Sequence, residues 1–150
     1  MHKWDKRFML IAKEVSTWSK DPSTKVGAVA VDNEKRIIST GYNGFPTGLR
    51  DDALLYENKE CKHSRIIHAE MNVIYNAGRH GLSLKGCHLY VWGLPICCDC
   101  ALGVIQSGIS RVTCVNTKPE RTEWLNSWEK TTKLFNECET PIIWELRNSI

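Results

Sequence analysis

Several features are missing from this sequence of 150 residues, and each absence removes a class of protein. No apolar run approaches the ~20 residues that a membrane-spanning helix needs. The charged opening Met1-His2-Lys3-Trp4-Asp5-Lys6-Arg7 has no apolar h-region behind it, so a cytoplasmic chain is expected rather than a secreted one. A basic stripe is missing too. Lys and Arg number 20 against 17 Asp and Glu, a formal charge of +3, and the densest cluster, Lys59 to Arg65, is broken by Glu60, Cys61 and Ser64. A surface for long nucleic acid wants charge more concentrated than that, whereas a small anion needs only a few local cations. No repeat, low-complexity tract or linker divides the chain, so residues 1–150 read as one domain around one core. The seven cysteines are an odd number, and no disulfide framework can use them all. In a reducing compartment, clustered thiols more often bind metal or do chemistry.

The elements follow from hydrophobic spacing. Trp4, Phe8, Ile11, Val15 and Trp18 recur at helical intervals, giving a first helix ended by Asp21-Pro22. Lys25 to Val31 and Arg36 to Thr40 read as a β-hairpin across Asp32-Asn33-Glu34-Lys35. Gly41 to Asp52 is a loop, and residues 53 to 65 carry no clear pattern. A helix is expected from Ile67 to Gly78 with Met71, Ile74 and Ala77 as its buried edge, then a strand over Cys87 to Trp92. A helix over Cys97 to Ser107, a strand over Arg111 to Val115, a long helix over Glu120 to Cys138 and a last strand over Ile142 to Leu146 complete the order. Strands alternating with helices in the second half predict parallel neighbours in a central sheet with helices on its faces.

The chemistry is concentrated in two short stretches. Cys97 and Cys100 stand at i and i+3, so both sulfurs reach one side of a helical turn, and a helix N-terminus favours their thiolate form. His68 is the third donor, which leaves one position of a tetrahedral Zn²⁺ for water, the pattern of a catalytic rather than a structural site. Glu70 lies about 200° around the helix from His68, so it points past the metal toward water and substrate. Two thiolates cancel the formal charge of the ion and weaken its effect on that water, which makes a proton acceptor valuable. Glu70 is therefore the candidate proton carrier between that water and a substrate. H-x-E followed by P-C-x-x-C is the signature of zinc deaminases, here with Ile96 between Pro95 and Cys97.

His68-Ala69-Glu70-Met71-Asn72, Leu94-Pro95-Ile96-Cys97-Cys98-Asp99-Cys100-Ala101, Lys25-Val26-Gly27-Ala28-Val29 and Gly41-Tyr42-Asn43-Gly44-Phe45-Pro46 together resemble the deoxycytidylate (dCMP) deaminase family of the cytidine-deaminase-like superfamily. The resemblance implies a three-layer α/β/α fold with a five-stranded mixed sheet and the zinc roles just given. It also implies conversion of dCMP to dUMP and ammonia, with Asn43 contacting the substrate and Ala69 beside it at the motif. Homohexamers are common in that family, as are activation by dCTP and inhibition by dTTP. Arg79 matches a position tied to that regulation, with Tyr42 and Gly44 as further effector candidates. Ser23 and Lys25 are candidates for the monophosphate.

Plainer readings stand beside these. Asn43 can simply hold a turn next to Gly44. Cys61 or His63 can close a structural zinc site as a fourth donor, or the two can hold a second zinc. Trp124 and Trp128, four apart, read as packing residues rather than a base-stacking platform. Competing functions are a deaminase of another cytosine nucleotide or nucleoside, an editing enzyme on tRNA or single-stranded DNA, and a non-catalytic zinc protein that binds nucleotides. A structural metal site needs no spare carboxylate, so Glu70 counts against the last.

Overall fold

The computed structural model describes residues 1–150. Helix α1 (Lys3–Ser16) leads into the antiparallel hairpin β1 (Gly27–Val31) and β2 (Ile37–Tyr42). Two short helices, α2 (Ala53–Glu57) and α3 (Lys59–His63), fill the stretch that carries no clear sequence pattern. Then come α4 (Ala69–Arg79), β3 (His88–Gly93), α5 (Cys98–Gln106), β4 (Arg111–Asn116), α6 (Leu125–Glu137) and β5 (Ile143–Arg147). The strands form one sheet in the order β2-β1-β3-β4-β5. β1 runs antiparallel to both neighbours, while β3, β4 and β5 are mutually parallel, with α5 and α6 as the crossovers.

Alternation along the strands sorts the core into two layers. On one face Val29, Val31, Tyr90 and Val115 pack against Phe8, Met9, Ala12 and Val15 of α1. On the other, Ala28, Ala30, Leu89, Val91, Val112 and Cys114 pack with Val73 and Ala77 of α4, Val104 of α5 and Phe135 of α6. The expected three-layer α/β/α arrangement with a five-stranded mixed sheet is present. Two glycines set how closely helices approach the hairpin. A Cβ on Gly27 would lie 2.1 Å from the Ala12 carbonyl oxygen, and one on Gly41 would lie 2.5 Å from that of Ala69. The second contact presses the first turn of α4 onto β2.

Element ends differ from the sequence expectation where side chains compete with the backbone. α1 stops at Ser16, well short of Asp21, because Ser16 and Thr17 turn their hydroxyls onto the Lys13 and Glu14 carbonyls, and Ser19 Oγ binds the Asn43 carbonyl 2.7 Å away. Trp18 therefore falls beyond the helix and is exposed, and within α1 Ile11 faces outward while Met9 and Ala12 complete the buried stripe. β2 continues to Tyr42, past the expected end at Thr40. The long last helix begins late. Arg121 stays extended (φ −82°, ψ 93°), a single 3₁₀ turn covers Thr122–Trp124, and only then does α6 start. In α4 it is Val73 and Ala77 that are buried, while Met71 and Ile74 lie half-buried toward Gly103 of α5. No helix is long and apolar enough to cross a membrane.

Candidate active site

The two motifs meet where two helices begin. His68 is the N-cap of α4, with ψ 154°, and Cys97 is the N-cap of α5, with ψ 160°. Cys97 Sγ accepts the Cys100 N–H at 3.4 Å, so the i, i+3 spacing read from sequence becomes a cap-to-first-turn contact. Ile96, the residue inserted after Pro95, is fully buried in the core, and its carbonyl accepts the Thr131 hydroxyl at 2.8 Å. Ser127 Oγ accepts the Cys98 N–H at 2.9 Å. Helix α6 thus clasps the loop that carries both cysteines.

His68 Nδ1 lies 3.5 Å from Cys97 Sγ and 3.3 Å from Cys100 Sγ. The three donor atoms all fall within 4.8 Å of one another, and no other group of three His, Cys, Asp or Glu donors comes together in the chain. A tetrahedral zinc with bonds of ~2.3 Å to sulfur and ~2.0 Å to nitrogen sets N and S about 3.5 Å apart, so the donor set fits this ion. Cys61 and His63 sit on α3 with no third donor beside them, and His63 lines the cleft.

The charges are mutually dependent. The Cys100 thiol, then the His68 ring, hold Cys97 down at about 4. Cys100 is pushed up by its hydrogen bond to that thiolate and by burial. The contact with Cys97 lifts His68 to about 9. Without metal the pair of thiols therefore carries one negative charge, and a bound dication supplies what the second thiolate requires. Glu70 is 4% exposed, and burial raises its carboxyl to about 7, placing it near neutrality as a general acid or base should be.

A cleft of about 170 Å³ opens beside these residues. Its lining includes His68, Ala69, Glu70, Asn43 and Ser23, so the structure brings together most of the residues singled out from sequence. Asn43 is buried with both ends of its amide engaged. Its Oδ1 accepts the Val26 N–H at 2.9 Å, and its Nδ2 donates to the Thr24 carbonyl at 2.9 Å and to Asp21 Oδ2 at 3.4 Å. It holds the cleft wall as well as facing the cleft. Lys25 is not part of the lining. Its ammonium is turned onto the Ser19 carbonyl, so the phosphate role expected of it has no geometric basis here. Arg79, in the last turn of α4, stands about 15 Å along the helix from Ala69, by a rise of ~1.5 Å per residue. Tyr42 and Gly44 are at the other end of that helix, where Asn72 Nδ2 donates to the Tyr42 carbonyl and Gly44 bridges Ile67. Within one chain Tyr42 and Gly44 lie together, and Arg79 does not meet them.

Sequence reasoning missed Asp21, Thr24, Lys62 and Arg121. They reach the cleft from separate segments and belong to no motif. Trp124 and Trp128, read as packing residues, are also cleft lining, and Trp128 is both buried and lining.

A metal-dependent hydrolytic enzyme is the class that these elements define, because an open N/S₂ donor set with a buried carboxyl beside it leaves room for water and substrate. The model of the cytidine and deoxycytidylate deaminase zinc-binding region matches residues 2–116. The chain is 42% identical over 147 residues to an uncharacterized deaminase from the luxG 3' region of Aliivibrio fischeri, covering 95% of this chain and 93% of that one. It is 41% identical over 120 residues to the deoxycytidylate deaminase of Mus musculus, covering 77% of this chain and 66% of the mouse protein. The fold matches the dCMP deaminase of cyanophage S-TIM5, solved with dCMP and dUMP, at a TM-score of 0.73 and 23% identity, covering 97% of this chain and 98% of that one. This chain belongs to the cytidine and deoxycytidylate deaminase family.

Proposed function

We propose that the protein deaminates dCMP to dUMP and ammonia in the cytoplasm, with Zn²⁺ held by His68, Cys97 and Cys100. The observation that carries the reading is the meeting of this donor triad with the buried Glu70 carboxyl in one cleft. The names of relatives near 40% identity support dCMP as the substrate. Bound zinc supplies Lewis-acid activation of a water molecule. Glu70 receives the proton that the water loses and delivers it to N3 of the cytosine, then takes the proton of the new C4 hydroxyl and passes it to the amine, which leaves as ammonia while C4 becomes a carbonyl. A carboxyl near 7 suits this exchange, because it gives and takes a proton at similar cost around neutral pH. Ala69, fully buried between the two reacting side chains, packs the wall against the ring, and Asn43 keeps a lone pair on Oδ1 for a sugar hydroxyl. Arg121, which lines the cleft and whose Nη1 donates to Thr24 Oγ1 at 2.8 Å, takes over the phosphate-side role expected of Lys25.

Activation by dCTP, inhibition by dTTP and assembly as a homohexamer remain part of the reading and rest on the family resemblance. One panel tests them with the substrate. Ammonia release from dCMP, CMP, deoxycytidine and dCTP is measured with and without added dCTP or dTTP. The zinc-loaded protein is expected to prefer dCMP, and Glu70→Ala to keep its zinc while losing about 10²- to 10⁴-fold in turnover. A wild type that binds dCTP yet releases no ammonia from any of the four would favour a nucleotide sensor instead.

A further inference from the structure

The cleft holds a buried cation that the proposed chemistry does not use. Asp21 is 5% exposed, and its carboxylate is already satisfied by the polypeptide. Oδ1 accepts the N–H groups of Ser23 and Thr24 at 2.8 and 3.4 Å, and Oδ2 accepts Asn43 Nδ2 at 3.4 Å. Lys62 of α3 nevertheless brings its ammonium to 3.3 Å from Asp21 Oδ1, with the two side chains only 14% and 7% exposed. An ammonium has three N–H donors, and this contact engages one of them. Arg121 Nη1 contacts Thr24 Oγ1 at 2.8 Å and Ser23 Oγ at 3.5 Å, while Nε goes to Glu123 outside the cleft at 2.7 Å, which leaves Nη2 free. Two cations therefore meet the Asp21–Thr24 segment in the cleft that also contains Glu70, Lys62 through the Asp21 carboxylate and Arg121 through the Ser23 and Thr24 hydroxyls.

We infer that Lys62 is a specificity-determining residue that recognises the phosphate monoester of the substrate, with Arg121, held at the Ser23 and Thr24 hydroxyls, as the second cation. The inference rests on the deaminase reading and names what selects a nucleotide over a nucleoside at that site. A dianionic phosphate presents several acceptor oxygens, and an ammonium with uncommitted donors plus a guanidinium edge is a matching set. In the absence of substrate, Asp21 keeps the ammonium in place and partly neutralised. On binding, the phosphate shares or replaces Asp21 as its partner. An ion pair that merely fastened α3 to the loop would leave the choice between dCMP and deoxycytidine unaffected.

The test compares zinc-loaded wild type, Lys62→Met and Lys62→Arg on both substrates. The expected result is a 10- to 100-fold fall in the ratio of kcat/KM for dCMP over deoxycytidine in Lys62→Met, carried by KM for dCMP, with most of the ratio restored in Lys62→Arg. A calorimetric comparison of dUMP and deoxyuridine binding to the same three proteins is expected to show the same loss for dUMP alone. Asp21 keeps its three other donors in Lys62→Met, so the wall is retained. A ratio within twofold of wild type, or equal losses on both substrates, would overturn the inference while leaving the deaminase intact. If no protein releases ammonia, the deaminase reading fails, and the dUMP against deoxyuridine binding comparison still decides the role of Lys62.

Discussion

Replacing Asn43 tests whether its amide is a brace for the cleft wall, because Ala and Asp fail for different reasons. Asn43→Ala removes the acceptor of the buried Val26 N–H and a donor to the Thr24 carbonyl. A buried orphan costs about 1–3 kcal/mol, and water from the cleft relieves some of it, so a loss of about 2–4 kcal/mol is expected. Asn43→Asp keeps the shape and the Val26 contact but puts an oxygen where Nδ2 now lies 3.4 Å from Asp21 Oδ2. Two unit charges at that separation repel by about 5 kcal/mol at an effective dielectric of 20, and the Lys62 ammonium offsets part of this. Asn43→Asp is therefore expected to be the worse variant at pH 8 by about 1–3 kcal/mol, despite the smaller change in volume. As the pH falls below 5 the extra carboxyl takes up a proton, can donate to Thr24, and the excess over Asn43→Ala should vanish. Urea unfolding of both variants at pH 8 and pH 4.5 provides the comparison. Equal stabilities at pH 8, or an Asp variant better than Ala there, would show that the amide is not oriented as described.

Gly27→Ala is expected to destabilise by about 3 kcal/mol or more, because its Cβ meets the Ala12 carbonyl at 2.1 Å and α1 must lift off β1 to relieve it; a shift of less than 1 kcal/mol in chemical denaturation would contradict the close approach. His88 is held down at about 4 by burial and by Arg111, below the ~6.5 of an unfolded chain, so the stability it contributes is present above pH 6.5 and lost as the pH falls toward 4. The full difference is roughly 3 kcal/mol and about 2 kcal/mol after solvent screening, so a stability curve equally steep in His88→Gln would count against it. In chelator-treated protein Cys97 stays a thiolate down to about pH 4, and a thiol reagent at pH 6 should label one fast site that zinc protects and Cys97→Ser removes.

The central sheet and the meeting of His68, Cys97 and Cys100 were legible because their signals are local. The Val- and Ala-rich strands, the parallel crossovers and the His68, Glu70, Cys97 and Cys100 spacings all survive in three dimensions. Helix ends were less legible, since the hydroxyls of Ser16 and Thr17 and the extended Arg121 outweigh hydrophobic periodicity only once tertiary partners exist. The phosphate end of the cleft was least legible. It is assembled from Asp21, Lys62 and Arg121, about forty and a hundred positions apart, and nothing local distinguishes Lys62 from the other lysines of a mixed-charge stretch. Lys25 opens the motif that runs into β1, yet its ammonium faces Ser19.

Neither Thr131 nor Ser127 touches the reacting groups, yet their hydroxyls fasten the backbone on both sides of Cys97. A protein cut after Asn116 would retain every donor and the proton carrier, and would still lose the scaffold that fixes two of them in place. The last quarter of the chain, which supplies no metal donor, thereby decides whether the cysteines stand ready or wander.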